Sequence, residues 1–503
     1  NEYDLAEKQI EILMKHAKTS IDQAEIRLMQ SILYRFLGQF DKVIQYGTLG
    51  LRLLGIRVSS VPGWHSVIKE MIIVKMRLWG KNTENLLNAS PIKNDKVKLI
   101  MRIMGELTSI SYNAGNINLF LFSTLKSLNL TLSYGNSREA ASIYCGYAVL
   151  LAVLGDLQRS FKFNKLALKL VEAEERAQYR ASVLFAYGFM GHAWSESWLN
   201  LDQWFKKTME EAIKHGDHYQ IGLAGTFMYA FKPDANLRWL IEKALKQVPL
   251  IRQTNNKYGY YLSFLFIHRW LNYVGLTDGQ FTMNVSEETH QANGNRGVIC
   301  TEEECLEYMK QINSLSGIGV YYKEKMYIHY IYDDYAGAMK YLNESDKYIK
   351  QHSGTPYIVE CRMCNFLVLA AIISEMGAKE AGKVRRRLRK EYTHIKPYAK
   401  YNEANFKHLQ YILEAELARI DGRTYKAAKL YELAIQTAGR NGFIRDEALA
   451  NELTAKMFLA SGMKKQAAFY MKEAFKGYQV WGADGKTRHM AEKYGYLLNT
   501  SEI

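Results

Sequence analysis

Small and bulky apolar residues recur at fixed distances behind a glycine, and the clearest case follows Gly422. Positions five, nine and twelve residues after it hold Ala427, Tyr431 and Ala434. Residues three or four positions apart lie on one face of a helix. Small side chains at the outer two positions allow a neighbouring helix to come close, and the bulky side chain between them fills the groove. The spacing therefore predicts a helix that packs through this face.

The same spacing recurs along the chain, which indicates an internal repeat. A glycine ends the preceding helix in most units, because a left-handed residue is favoured there, and Asp333 takes its place in one unit. The matching positions are Ala467, Met471 and Ala474 after Gly462; Ser160, Asn164 and Ala167 after Gly155; Val43, Gly47 and Gly50 after Gly38; and Ala338, Leu342 and Ser345 after Asp333. We therefore predict an all-α fold, a tetratricopeptide-like α-solenoid in which antiparallel helix pairs form a superhelix.

One stretch breaks the repeat. Its turn-forming signals are Asp278-Gly279, Asn293-Gly294 and Asn295-Arg296-Gly297. They predict three parts: an N-terminal helical-repeat half over residues 1–276, an irregular insertion or loop over 277–301, and a C-terminal tetratricopeptide-like half over 302–503. The insertion is either a hinge between the halves or a surface loop without function.

Proline usage strengthens the helical prediction. The chain has 6 prolines in 503 residues, about a quarter of average usage, and proline disrupts helix interiors. A chain this long exceeds the size at which one hydrophobic core stops growing. A repeat solenoid escapes that limit because each unit packs only on its neighbours.

Charge and cysteine content bear on partners and compartment. The formal net charge is +15, which can favour nucleic acid, an anionic membrane or an acidic partner, although the charge is spread along the chain. Five cysteines, an odd number, do not suggest a disulfide framework, so we predict a reducing, cytoplasmic setting. The sequence has no signal-peptide pattern and no long uncharged apolar run, so we expect no membrane span. The chain begins at Asn1 without an initiator Met, and we expect a piece of a longer protein.

Several longer stretches carry a family resemblance. They are Leu132-Ser-Tyr-Gly-Asn-Ser137, Leu154-Gly-Asp156, Glu414–Gly422, Asn441-Gly-Phe443, Glu447–Glu452 and Tyr478–Ala483. In this order they resemble the tetratricopeptide-like helical region of large bacterial multidomain signalling proteins. Those proteins carry a serine/threonine-kinase-like domain, an AAA/STAND-type ATPase, this solenoid, and a sensor or histidine-kinase output. The resemblance implies a sensing or coupling arm rather than a catalyst.

Motifs for catalysis are missing from the sequence. It has no phosphate loop of the form G-x-x-x-x-G-K-[ST], no catalytic His-Arg-Asp run and no Asp-Phe-Gly. Cys361 and Cys364 form a lone C-x-x-C, whereas a structural zinc site needs further ligands. Their apolar neighbours predict burial in a helix. We therefore predict that this chain is not an enzyme and holds no cofactor or metal.

Aromatic and basic clusters are the candidate partner sites. The aromatic segments indicate either a core stripe or an exposed groove that anchors a peptide. The basic run indicates either a solvated helix surface or a face for phosphate or an acidic partner. The candidate residues are Tyr258, Tyr261, Phe264, His268 and Trp270 in the densest aromatic segment, His192 and Trp194 in a second one, and Arg385, Arg386 and Arg387 in the basic run.

These observations predict a non-catalytic regulatory solenoid. It would bind a ligand, peptide or protein partner and couple that event to ATPase or kinase domains. One alternative is a free-standing peptide receptor or adaptor scaffold, for which the lack of catalytic motifs is equally expected. A second alternative is a nucleic-acid-binding solenoid, which would require basic residues to line one groove.

Overall fold

The chain folds as consecutive antiparallel α-helices. The computed structural model describes residues 2–173, 179–288 and 300–499, and within these ranges it contains no β-strand. The helices before residue 277 are α1 (Glu2–His16), α2 (Ser20–Phe36), α3 (Phe40–Leu53), α4 (Trp64–Leu78), α5 (Thr83–Leu87), α6 (Asp95–Asn113), α7 (Ile117–Tyr134), α8 (Ala140–Val153), α9 (Leu157–Ala173), α10 (Arg180–Tyr187), α11 (Ala193–Ser195), α12 (Asp202–His215), α13 (His218–Phe227), α14 (Leu237–Leu245), α15 (Val248–Gln253) and α16 (Lys257–Val274).

The helices after residue 301 continue the same architecture. They are α17 (Glu302–Gln311), α18 (Leu315–Ile331), α19 (Tyr335–Ser345), α20 (Tyr357–Ile372), α21 (Ala378–Tyr401), α22 (Glu403–Ile420), α23 (Thr424–Arg440), α24 (Ile444–Ala460), α25 (Lys464–Trp481) and α26 (Asp484–Leu498). Most of these helices pack mainly on the one before and the one after them, as α22, α23, α24 and α25 do. The predicted α-solenoid of antiparallel helix pairs is therefore confirmed.

The turns between paired helices follow the prediction. Gly38, Gly155, Gly422 and Gly462 have φ angles of 68°, 83°, 73° and 75°, in the left-handed region that glycine enters without steric cost. Asp333 adopts φ 61° in the same role. Its carboxylate accepts hydrogen bonds from two lysines, at 2.6 and 2.8 Å. A short acidic side chain tolerates this backbone geometry better than most others.

The repeat positions are buried, as the spacing predicts. Ala427, Tyr431 and Ala434 have no exposed surface, and neither do their counterparts Met471 and Ala474. Tyrosine at the bulky position brings its hydroxyl into the core, where it donates a hydrogen bond to a carboxylate of the preceding helix. The small–bulky–small pattern therefore packs one helix of a pair against the other.

The part of the chain from α16 onwards closes on itself. Helices α16, α18, α20, α22 and α24 pack in succession, and α26 packs back against α16. At this junction the Tyr332 hydroxyl donates to the Asn272 carbonyl at 2.8 Å. Lys486 of α26 donates to the Ile331 carbonyl and to Glu452 of α24 at 2.8 Å. These six inner helices form a ring, which we call the C-terminal ring.

Charged side chains fill the centre of the C-terminal ring. Arg269 lies 2.6 Å from Glu324, and Lys323 lies 2.8 Å from Glu360. Arg445 approaches Glu360 from the opposite side at 3.5 Å. Buried charges are costly unless they are paired, and here each carboxylate faces at least one cation. The ring interior is thus a packed ionic core rather than an open channel.

Part of the predicted 277–301 insertion packs on the ring. Asn272 donates hydrogen bonds to the carbonyls of Gln280 and Thr282 at 3.0 and 2.8 Å. The Met283 carbonyl lies 2.7 Å from His268 Nδ1. The turn signals at residues 293–297 lie outside the described residues. The division into two halves and a hinge stays a prediction.

The C-x-x-C lies on α20, and both Cys361 and Cys364 are buried there, as predicted. Burial raises the pKa of the Cys364 thiol to about 12. Among the described helices, Tyr357–Glu375 is apolar and long enough to cross a membrane, and 78 % of it is buried inside the protein. Its apolar surface serves as an inner wall of the C-terminal ring.

Candidate ligand-binding cavity

The first half of the solenoid contains an open-sided cavity of about 820 Å³. Residues from α2, α6, α7, α8, α10 and α13 form its wall. Cavities of roughly 300–1,000 Å³ are typical of small-molecule sites in proteins. The C-terminal ring is filled by its own side chains, whereas the first half leaves this space open.

Pairs of small residues on three successive inner helices explain the open space. Within each pair the residues are four positions apart, so they lie one above the other on the same helix face. The pairs are Gly105 and Ser109 on α6, Ser142 and Gly146 on α8, and Ser182 and Ala186 on α10, and all six line the cavity. Bulkier residues at these positions would fill the space between the helices.

Gly105 shows that the space is not needed for helix packing. A Cβ atom built on it would meet no other atom within 4 Å. Glycine inside a helix costs about 0.5–1 kcal/mol relative to alanine, and here no close approach of a neighbouring element compensates for it. The residue instead enlarges the cavity.

The wall is mostly apolar, with charged groups gathered in one region. Arg35 pairs with Glu106 at 3.2 Å, and Arg102 pairs with Glu25 at 3.2 Å. Burial by itself lowers the pKa of Arg35, but Glu106 and other nearby groups outweigh it and raise that pKa. The Arg35 guanidinium also lies over the Tyr219 ring, 5.3 Å from its centroid. Both arginines that line the cavity are therefore already matched by carboxylates.

Glu139 and Tyr179 lie in the same region of the wall. Glu139 precedes α8 and is 6 % exposed, yet its side chain does not cap the helix. Burial raises the pKa of Tyr179, and the negative charges of Glu139 and Glu106 raise it further. The region therefore presents a carboxylate and a phenol to the cavity.

A bridging segment, which we define as Gly188–Leu201, joins this cavity to the C-terminal ring. It begins with a π-helical turn, Gly188–His192, that contains the cavity residue Met190. Farther along, the Trp194 indole donates to the Gly354 carbonyl at 3.0 Å. The Trp198 amide donates to the Asn405 side chain at 3.1 Å. One end of the segment therefore touches the cavity and the other is bound to α22.

The predicted aromatic candidates lie in the core. Tyr258, Phe264, His268 and Trp270 are all buried, with exposed fractions of 6 % or less. Tyr261 is half-buried and stacks on a tyrosine of α17 at 4.4 Å between ring centroids. The helical spacing of these residues therefore reports core packing on α16, and their contact with a partner stays a prediction.

His192 and Trp194 are also buried, within the bridging segment. His192 Nε2 lies 3.1 Å from the Ser197 carbonyl. Burial lowers the pKa of His192. Trp194 stacks on Tyr398 with ring centroids 4.7 Å apart. These two candidates connect structural elements instead of facing the cavity.

The basic candidates lie on α21, an outer helix of the C-terminal ring. Arg385 and Arg386 are exposed, and Arg387 is half-buried and pairs with Asp346. None of the three lines the cavity. A role for them in partner binding stays a prediction.

Neither a cavity nor its lining was predicted from the sequence. The signal that could have indicated it is the recurrence of small residues four positions apart on α6, α8 and α10. In the described parts of the chain, no group of three or more His, Cys, Asp or Glu side chains is arranged to hold a metal ion.

Compared with known proteins, the chain matches no family model and no curated sequence. Several solved helical-repeat structures align along most of its length. Yeast Tom70 is 12 % identical over 95 % of this chain and 97 % of its own, with a TM-score of 0.26. A signal transduction ATPase with a tetratricopeptide repeat sensor from Pyrococcus horikoshii is 14 % identical over 94 % and 72 %, with a TM-score of 0.29. The tetratricopeptide domain of P58(IPK) is 13 % identical over 86 % and 98 %, with a TM-score of 0.16. Scores this low support no transfer of function.

Proposed function

We propose that this chain is a non-catalytic regulatory solenoid that binds a ligand or peptide in the cavity of its first half. The observation that carries the proposal is the cavity of about 820 Å³, kept open by small residues on three inner helices. An apolar wall with a few polar groups is typical of sites that bind small organic ligands. The five cysteines are free thiols, which supports a reducing compartment such as the cytoplasm.

The bridging segment supports a way to transmit binding. A ligand that contacts Met190 would push on the π-helical turn, and π-turns within helices are frequent at functional sites. The far end of the segment is held by Asn405, which donates to the Glu196 carbonyl at 2.7 Å and accepts from the Trp198 amide. A movement of Met190 at the cavity would therefore be passed along the bridging segment to α22, and the helices between the cavity and α22 would not need to change.

The proposed output is regulation of ATPase or kinase domains. This step is supported by the resemblance of Glu414–Gly422, Glu447–Glu452 and the other quoted stretches to the solenoids of bacterial signalling proteins. A free-standing receptor or adaptor would use the same cavity and differ only in what it is joined to. The nucleic-acid alternative receives less support, because the exposed arginines lie on an outer helix and not in a groove.

A cavity-filling substitution tests the proposal. Gly105→Trp places an indole in open space, because no atom lies within 4 Å of the added Cβ. Gly382→Trp is the matched control, since Gly382 also lies in a helix with no atom near its Cβ but is exposed on α21. Circular dichroism should show that both variants keep the wild-type helix content.

The readout is the set of molecules that each protein retains from a cell extract. After incubation and washing, bound small molecules and peptides are released by denaturation and identified by mass spectrometry. We expect a compound that is enriched on the wild type and on Gly382→Trp but lost from Gly105→Trp. If every retained compound also binds Gly105→Trp, the cavity is not the binding site and the proposal is wrong.

A further inference from the structure

We propose that the cavity selects ligands with a cationic group, an ammonium or guanidinium attached to an apolar body, and that Glu139 is the residue that recognises the cation. This inference rests on the proposed function and adds the chemical class of the ligand. The juxtaposition that carries it is a largely buried glutamate at the wall of a mostly apolar cavity, whose carboxylate has no ion pair or hydrogen bond within the described residues.

Glu139 is 6 % exposed and lines the cavity. Its backbone amide donates to Ser137 Oγ at 3.1 Å, but within residues 2–173, 179–288 and 300–499 its carboxylate makes neither an ion pair nor a hydrogen bond. Buried carboxylates are normally paired, because leaving water without a counterion is unfavourable. The position of Glu139 at the start of α8 helps to tolerate the charge, since the N-terminus of a helix carries partial positive charge. The helix N-terminus does not donate a hydrogen bond to the Glu139 carboxylate, whereas a bound ammonium or guanidinium group would.

The other charges of this region do not compete for the same role. Arg35 and Arg102 could attract an anion, but they already pair with Glu106 and Glu25 at 3.2 Å each. Two carboxylates of the wall, Glu139 and Asp217, make no ion pair within the described residues. Asp217 accepts a hydrogen bond from the Gln220 backbone amide at 3.1 Å as a helix cap, whereas the Glu139 carboxylate accepts none and is left to pair with a ligand cation.

The other residues of the wall determine what the rest of the ligand can be. Tyr179 lies close enough to Glu139 for the carboxylate to affect its pKa, and its hydroxyl can accept a hydrogen bond from an ammonium group. Ile143, Val183 and Leu223 supply apolar surface. A chain or ring bearing one amine fits this arrangement, whether it is a small amine or the free amino end of an apolar peptide.

Three probes of equal length separate charge from apolar burial. Octylammonium, octanol and octanoate have eight carbon atoms each and differ in charge. Their binding to the protein is measured by isothermal titration calorimetry. We expect octylammonium to bind at least ~10-fold more tightly than octanol, because hydrogen bonds to a charged group are stronger than neutral ones. Octanoate should bind more weakly than octanol.

Two matched variants assign the preference to one residue. Glu139→Gln keeps the shape and removes the charge, so its octylammonium affinity should fall ~10- to 100-fold and become similar to its octanol affinity. Glu380→Gln changes a glutamate that is exposed at the start of α21, and it should bind all three probes as the wild type does. Unchanged octanol binding in Glu139→Gln shows that this variant is folded.

The outcomes distinguish this inference from the function on which it rests. If the three probes bind equally and Gly105→Trp abolishes them all, the cavity binds ligands but the cation preference is wrong. If the octylammonium preference survives Glu139→Gln, the role of Glu139 is wrong. If no probe binds, or if all bind Gly105→Trp as well as the wild type, both the inference and the proposed cavity function are overturned.

Discussion

Replacing Lys323 by methionine should destabilise the C-terminal ring strongly. The Lys323 ammonium lies 2.8 Å from a Glu360 oxygen and 3.3 Å from a Glu324 oxygen, and its side chain is 2 % exposed. Methionine has a similar length and would fill the space, so the change removes a charge rather than volume. The substitution leaves the buried carboxylates of Glu324 and Glu360 with one neighbouring cation fewer.

The size of the effect follows from the buried ion pairs. Removing one partner of a buried ion pair costs about 3–5 kcal/mol. Burial by itself would raise the pKa of Glu360, but Lys323, Arg445 and Arg269 together lower it from 4.5 to about 2. Two of these three cations remain near Glu360 in the variant, so we expect Lys323→Met to cost about 3 kcal/mol, the lower end of that range.

The cost should depend on pH in a defined direction. Because the pKa of Glu360 is lower in the folded chain than its ordinary value of 4.5, its contribution to stability is present above that value and is lost as pH falls towards 2. Removing Lys323 raises this folded-state pKa, so the carboxylate of the variant becomes protonated earlier. The difference in stability between wild type and variant should therefore shrink between about pH 7 and pH 4.

Hydrogen exchange of the two inner helices measures this locally. Peptides covering Leu315–Ile331 and Tyr357–Ile372 report the free energy of opening without requiring the whole chain to unfold in one step. Lys347→Met is the matched control, because Lys347 pairs with Glu344 at 2.7 Å but is largely exposed. Exposed ion pairs contribute little to stability, so it should leave the exchange of both helices unchanged. The reasoning fails if Lys323→Met costs under about 1 kcal/mol or if its cost is the same at both pH values.

Four further substitutions test the backbone geometry of two glycines, the bridging segment and a buried histidine. Gly105→Ala should raise the free energy of unfolding by about 0.5–1 kcal/mol, whereas Gly422→Ala, at φ 73°, should lower it by about 1–2 kcal/mol. Neither added Cβ meets another atom within 4 Å, so only the backbone conformation differs. If thermal denaturation shows a change of the same sign for both variants, the backbone argument is wrong. Asn405→Ala should release the Trp198 amide, to which it is bonded at 3.1 Å, and speed its hydrogen exchange. Burial, followed by the charge of a nearby lysine, lowers the pKa of His352 from 6.5 to about 3, so stability is lost as pH falls through this window. Between roughly pH 7 and pH 5 the wild type should lose about 2 kcal/mol of unfolding free energy through this histidine, and calorimetry should show that His352→Gln does not lose it.

Local spacing was enough to predict the helix pairs. The position of each turn follows from residues such as Gly422 and Asp333, because only certain residues adopt a left-handed backbone without strain. The face that each helix buries follows from Ala427, Tyr431 and Ala434, because residues one turn apart share a face. Both features depend on residues close together in the chain.

The aromatic candidates show where the sequence is ambiguous. A stripe such as Tyr258, Phe264 and His268 has the same spacing whether it faces a core or a groove, since periodicity identifies a face but not what covers it. In the structure α13, α14, α18 and α26 pack on α16, so this stripe is buried in the core. The arginines of α21 are exposed because that helix lies on the outside.

By itself the sequence determined the helices, their turns and their packed faces, because these depend on contacts between neighbours along the chain. Only the tertiary structure decided that α26 meets α16, that the ring centre holds an ionic core, and that the first half contains a cavity. Each of these depends on the sum of small rotations between successive helix pairs, and a small change per pair accumulates along a solenoid. Glu139 is an ordinary glutamate in the sequence, and the cavity beside it makes it a candidate for binding a cation.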